Sequence, residues 1–150
     1  MTDYDDDGLK FVLRFEVEIV GIGTDITECA RIEKMIQRHK AHFLEHVFTE
    51  REIQYSSSKK RATEHFAGRW AAKEAVLKAL GTGWVGGITW KDVEIVNEIG
   101  GRPKIVLHDG AQNIAEQLGI TEVLISISHC SSHAIAYAVA VSSQPSAVCV

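Results

Sequence analysis

Two prolines and three cysteines in 150 residues leave room for neither a proline-rich linker nor a disulfide framework. Cys29, Cys130 and Cys149 are odd in number and unrelated in spacing, which suits reduced thiols. No stretch approaches the roughly 20 uncharged apolar residues that span a bilayer. The opening MTDYDDDGLK carries four aspartates where a secretory leader carries positive charge, so the expected location is cytoplasmic. Basic charge is also scarce: 16 Lys+Arg against 20 Asp+Glu give a net charge of −4. The chain thus lacks the basic footprint of a general nucleic-acid binder, and an acidic partner must be met by a local positive patch. With 45% hydrophobic and 24% charged residues it reads as an ordinary folded domain, not a disordered one.

Residues 1–10 read as an acidic lead-in and Ser142–Val150 as a loose tail around one domain. Phe15–Thr24 is rich in Val and Ile and ends in a Gly-rich turn, a strand signal. A helical period follows from Glu28 to about Lys40. Thr49 and Glu52 have the spacing of a capping box. Thr63–Leu80 is the strongest helix signal, opened by Thr63 and stopped by Gly81. Beyond Gly87 the period becomes two. Val93, Ile95 and Ile105, Leu107 flank Gly100-Gly101 as a hairpin, and Asp109 is expected to cap a helix ending near Gly119. Strands over Glu122–Ser128 and Ala134–Val141 complete an α+β pattern: a small antiparallel sheet with a long packed helix.

That long helix does not separate its charges from its apolar residues. At about 100° per residue, Arg69, Lys73, Glu74 and Lys78 interleave with or border Phe66, Trp70, Leu77 and Leu80. The opposite arc is small: Ala67, Gly68, Ala71, Ala72, Ala75 and Ala79, a face that permits close approach by a neighbour. The four charged residues are therefore candidates for a lined cleft; the plainer alternative is that their stems snorkel to water. Asp25 ends an apolar strand after Gly-Ile-Gly-Thr, either as a turn residue or as a functional carboxylate. Together, Asp25 and Glu74 would make a hard oxygen site suited to Mg²⁺ shared with substrate phosphates. Arg69, Lys73 and Lys78 would supply counter-charge.

At these residues the sequence resembles the holo-acyl-carrier-protein synthases, the short 4′-phosphopantetheinyl transferases. The matching segments are GIGTDITECARI (21–32), FAGRWAAKEAVLKALGTG (66–83), GGRP (100–103) and SISH (126–129). The resemblance covers residues 19–141, with 1–18 as an extension and 142–150 as the tail. It implies the transferase fold and transfer of 4′-phosphopantetheine from coenzyme A to a serine of apo acyl carrier protein. Adenosine 3′,5′-bisphosphate is released, in support of fatty acid biosynthesis. By the same resemblance Asp25 and Glu74 would hold Mg²⁺, and Lys78 would sit by the phosphate under attack. Arg69, Gly81, Thr82, Gly83, Gly101, Arg102, Pro103, Ser128 and His129 would line the coenzyme A site, His129 at the 3′-phosphate. Asp25 or a metal-bound water could take the serine proton. Larger members carry a third carboxylate where this chain has Thr27, so water would complete the metal shell. They also contain two halves, so a chain of this size implies a homotrimer with interfacial sites.

Arg31, Lys34 and Arg38 fall at i, i+3, i+7 on one helix face, ordinarily a solvated one. With an acidic carrier as partner it becomes the docking surface, with Met35 as an adaptable apolar contact. FVLRFEVE in the extension can lengthen the first strand or reflect the choice of start codon. Cys130 is expected to be a packed thiol, and Trp84 and Trp90 carry no assigned role. His42-Phe43-Leu44-Glu45-His46 matches a zinc-protease pattern but reads better as surface helix. A nucleotide-binding module without turnover is the other alternative; it would have no use for the Asp25/Glu74 pair.

Overall fold

The structure is a computed structural model; it describes residues 2–4 and 10–149, with side chains over 16–145. Strands β1 (Thr2–Tyr4) and β2 (Lys10–Glu28) lead into helices α1 (Cys29–Val47), α2 (Glu50–Ser57) and α3 (Ala62–Leu80). A hairpin of β3 (Val93–Asn97) and β4 (Pro103–Leu107) precedes α4 (Asp109–Gln117), β5 (Glu122–His129) and β6 (His133–Cys149). The main sheet is antiparallel in the order β1-β2-β6-β5, and α3 lies across one of its faces. No helix among the described residues is long and apolar enough to cross a membrane.

The small arc of α3 packs on an equally small sheet face. Gly21 and Gly23 of β2 face it, and the inward residues of β6 are Ala134, Ala136, Ala138 and Ala140, all buried. Contact is so close that a Cβ on Gly21 would fall 2.0 Å from the Ala79 carbonyl oxygen. One on Gly23 would fall 1.9 Å from that of Ala75. Only glycine fits where two backbones meet at this separation. Under the far side of α3, the β3–β4 hairpin, α4 and β5 enclose a core around Val76, Leu80, Val93 and Ile95.

The opposite sheet face is apolar and uncovered within one chain. Ile22 is 72% exposed, Ile26 66%, Tyr137 57% and Leu124 40%. Side chains alternate across a strand, so the close packing of the glycines onto α3 obliges these neighbours to point outward.

Several local expectations hold. Thr49 and Glu52 form a full capping box at α2, and Gly81 ends α3 in the left-handed conformation with φ 73°. The helical signal that fades near Lys40 matches a backbone break at that residue, φ 47°, within α1. Three expectations are corrected. Ser142–Cys149 is not a loose tail: it continues β6 and pairs with Phe11–Glu18, so the extension and the tail form one ribbon. Residues 2–4 of the acidic lead-in pair as β1 with 10–12, while residues 5–9 of it lie outside the described residues. Asp109 does not cap α4; His108 precedes the helix, and the Asp92 carboxylate accepts the Gly110 N–H at 3.1 Å instead.

Gly23→Ala should lower stability by about 3 kcal/mol, because the added methyl meets backbone, which cannot yield as a side chain would. A urea midpoint equal to wild type would mean that α3 does not rest directly on β2.

Candidate active site

The β2–α3 contact brings Asp25, Glu74 and Lys78 together. Asp25 lies on the same inward row as Gly21 and Gly23, and Lys78, whose Cβ abuts Gly23, reaches it. Its Oδ1 takes the Lys78 ammonium at 3.0 Å, and its Oδ2 accepts the Thr27 hydroxyl at 2.8 Å. Lys78 also donates to the Thr24 carbonyl at 2.7 Å. Glu74, one helical turn before Lys78, is half-buried; its Oε1 accepts the Trp84 indole N–H at 3.3 Å. Burial pushes the Glu74 carboxyl above its ordinary value; the Trp84 hydrogen bond opposes this, the Asp25 charge adds to it, and the Lys78 and Arg31 cations oppose it. Two carboxylates brought near each other where β2 meets α3 are a donor set that suits a hard divalent cation.

Arg69 and Lys73 do not join them. Lys73 is fully buried and paired with Glu52 at 2.9 Å; it also donates to the carbonyls of Trp90, at 2.9 Å, and Val93. Glu52 in turn accepts the backbone N–H groups of Thr49 and Ile95, each at 2.9 Å. Burial pushes the Lys73 ammonium down, and the facing Glu52 charge holds it up. The expectation that Lys73 lines a cleft is therefore corrected: it locks α2, α3 and β3 together. Arg69 is also buried, over the Tyr55 ring at 4.1 Å, and donates to Asn97 Oδ1 at 2.6 Å. Asn97 donates on to the Gly101 carbonyl at 2.9 Å, so Arg69 braces the Gly101–Pro103 turn from within.

Gly81, Thr82 and Gly83 follow Lys78 directly, at the end of α3. Ser128 and His129 end β5 elsewhere. His129 Nδ1 lies 2.9 Å from Glu64, ten residues and so about 15 Å along α3 from Glu74. One chain therefore separates His129 from the Asp25–Glu74–Lys78 group. Cys130, expected to be packed, is exposed, and the Ser132 hydroxyl lowers its thiol; the packed thiol is Cys29. On α1, Arg31, Lys34 and Arg38 are exposed with Met35 half-buried beside them, while Ile32 faces inward. His42, Glu45 and His46 are exposed on the same helix, as surface residues. Sequence reasoning missed Trp84, Asn97, Glu64 and Glu52 as partners, because nothing in their spacing marks a contact made across a loop or between helices.

A protein-family model described as the 4′-phosphopantetheinyl transferase superfamily matches residues 21–138, which contain every residue of the group above. The chain belongs to that superfamily. It is 48% identical over 118 residues to a holo-[acyl-carrier-protein] synthase of Koribacter versatilis, covering 79% of this chain and 94% of that one. To the synthase of Geobacter sp. strain M21 it is 45% identical, with 81% and 97% covered. Among solved structures, the Neisseria meningitidis synthase superposes with a TM-score of 0.76 at 30% identity over 82% of this chain and 98% of that one. The Helicobacter pylori synthase, solved with coenzyme A, gives 0.70 at 35% identity over 79% and 98%. This phosphopantetheinyl transferase is thus an enzyme of the holo-[acyl-carrier-protein] synthase kind, and its ribbon of residues 11–18 and 142–149 lies outside the segment that the family model matches.

Lys73→Met should cost the transferase about 3–5 kcal/mol, since it leaves Glu52 buried without a cation. Pairing it with Glu52→Gln, which removes the unpaired charge and keeps an acceptor for the Thr49 and Ile95 N–H groups, should recover part of that loss in the same denaturation experiment. No recovery would mean that the unpaired charge is not the source of the loss.

Proposed function

We propose that this enzyme moves 4′-phosphopantetheine from coenzyme A to a serine of apo acyl carrier protein, with Mg²⁺ held by Asp25 and Glu74, as a homotrimer in the cytoplasm supporting fatty acid biosynthesis. The observation that carries the reading is the Asp25–Lys78 pair with the Glu74 carboxylate near it at the β2–α3 contact. A nucleotide-binding module without turnover would have no use for two carboxylates held beside a phosphate-seeking cation.

The residues fit a metal shared with phosphate. Thr27 and Lys78 fix both oxygens of Asp25 in place, and Glu74 is fixed through Oε1, leaving lone pairs for a cation whose shell water completes. Bound Mg²⁺ supplies charge neutralisation on the pyrophosphate. The remaining work falls to this chain's residues. The carrier serine oxygen attacks the pantetheine-bearing phosphorus while the bond from that phosphorus to the bridging oxygen breaks. Lys78, half-exposed beside Asp25, neutralises charge developing on that oxygen as the bisphosphate departs. The serine proton passes to the Asp25 carboxylate or to water. The Gly81–Gly83 turn and the Gly101–Pro103 turn, braced through Asn97 by Arg69, form walls of the nucleotide site.

The uncovered sheet face around Ile22, Ile26, Leu124 and Tyr137, an apolar patch of the kind that marks an interface, supports the trimeric reading. Its closure would bring Ser128 and His129 of one subunit toward Asp25 and Glu74 of the next, spanning the gap present within one chain. Arg31, Lys34 and Arg38, with Met35, would receive the acidic carrier. Neither nucleic acid nor a membrane is a partner in this reading.

Intact-mass spectrometry of apo acyl carrier protein, incubated with the enzyme, coenzyme A and Mg²⁺, should show a gain of one phosphopantetheine. EDTA should abolish the gain, and Glu74→Gln should lower the rate at least 100-fold with the fold intact. Near-wild-type transfer by that variant would remove Glu74 from the metal shell. Ile22→Lys should convert the trimer to monomers by light scattering and remove activity with it; an active monomer would defeat the interfacial site.

A further inference from the structure

The side chains of Trp84 and Trp90 are absorbed by none of the roles above, yet Trp84 stands directly beside Glu74 with Trp90 stacked against it. Trp84 occupies the loop after α3, where Gly81, Gly83, Gly86 and Gly87 all have positive φ and a Cβ at any of them would meet open space. The backbone of this loop is therefore held by few of its own side chains; Val85 is 66% exposed. Trp84 is the exception. Its ring packs on Trp90 with centroids 3.7 Å apart, and Trp90 packs on buried Trp70 at 4.2 Å. The stack ends under the carrier-facing helix, where the Arg31 guanidinium lies 6.0 Å from the Trp70 ring. At its other end the Trp84 N–H is spent on Glu74 Oε1 at 3.3 Å.

We infer that Trp84 is a positioning residue: the tryptophan stack fixes its indole, and the indole fixes both the Glu74 carboxylate and the substrate-side glycine loop. An indole N–H is a donor only, so it can hold one carboxylate oxygen without competing for the metal face of the other. Partners that orient a metal ligand in this way commonly alter metal affinity by about 10- to 100-fold when removed. The ring does a second job, because a loop rich in glycine loses more freedom on ordering than any other and needs an anchor. The two jobs separate by substitution. Phenylalanine keeps a ring for the stack and removes the donor; glutamine keeps a donor and removes the ring.

The inference rests on the proposed metal role of Glu74, and the experiment separates the two. Mn²⁺ is titrated into the full-length enzyme without coenzyme A, and free Mn²⁺ is read by electron paramagnetic resonance for wild type, Glu74→Gln, Trp84→Phe and Trp84→Gln. Michaelis constants for coenzyme A are then measured with the Trp84 variants. Glu74→Gln should lose Mn²⁺ binding. Trp84→Phe should bind Mn²⁺ about 10-fold more weakly with a Michaelis constant near wild type. Trp84→Gln should bind Mn²⁺ more tightly than Trp84→Phe and raise the Michaelis constant. Wild-type Mn²⁺ affinity in Trp84→Phe, with Glu74→Gln defective, overturns this inference alone. Wild-type affinity in Glu74→Gln overturns the metal reading, and the inference with it. Should Trp84→Phe fail to fold, Trp84→Leu replaces it as the variant without a donor, and affinity equal to that of Trp84→Gln overturns the inference.

Discussion

Backbone-to-backbone contact between α3 and β2 governs the rest of the molecule. Gly21 and Gly23 let the helix settle onto the strand with nothing between them, and the alanine row of β6 keeps the neighbouring strand equally low. Such a contact buries little area per residue, so its value is geometric. Strand and helix share one rigid register, and Asp25, within the paired part of β2, stands opposite Lys78 and near Glu74 without a loop to set the distance. Sites built on packed regular elements hold their groups more tightly than sites built on loops. The same contact dictates the other face of the sheet. With Gly21, Gly23 and Asp25 turned toward the helix, Ile22 and Ile26 have to point away from it.

The charges of α3 divide between two tasks although they lie within ten residues. Lys73 is held in the core by Glu52 and two carbonyls, so its charge is spent inside the protein and stays there. Lys78, little more than one turn further on, pairs with Asp25 at the surface and keeps half its side chain in water. A buried pair contributes little net free energy relative to an apolar replacement, but it resists removal of either partner. An exposed ammonium beside a carboxylate remains free to turn toward an incoming anion. Arg69 stands between these extremes: buried, with a hydrogen bond to Asn97 and one nitrogen, Nε, that has no partner among the described residues.

Much of this could be read from the chain itself, and the failures have a common cause. The small-residue arc over 67–79 announced close packing, and the capping box at Thr49 and the stop at Gly81 are local signals that depend on nothing distant. Gly21 and Gly23, expected to end the strand in a turn, instead lie within β2 and pair with β6, because their missing side chains serve the helix contact. Asp25 and Glu74 stood out because each breaks the pattern of its element. Lys73 was misplaced because a helical wheel places it beside Trp70 and Leu77 without showing that Glu52, on another helix, comes to meet it. Asp109 lost the capping role to Asp92 for the same reason: the competing carboxylate arrives from a preceding turn. Ser142–Cys149 has the composition of a tail, and only its pairing with Phe11–Glu18 makes it a strand. Trp84 depends on a loop conformation that no periodicity encodes.

The ribbon formed by those two segments also carries the first and last described residues. Thr2 pairs with Val12 and Cys149 with Phe11, so both lie at one tip of the sheet. From Lys10 to Asp25 is fifteen residues of β2, roughly 50 Å at the rise of an extended strand. An affinity handle, a fluorescent label or a fused carrier domain placed at either end would therefore sit a molecule's width from the carboxylates, and immobilisation through that tip would present the catalytic end to solution.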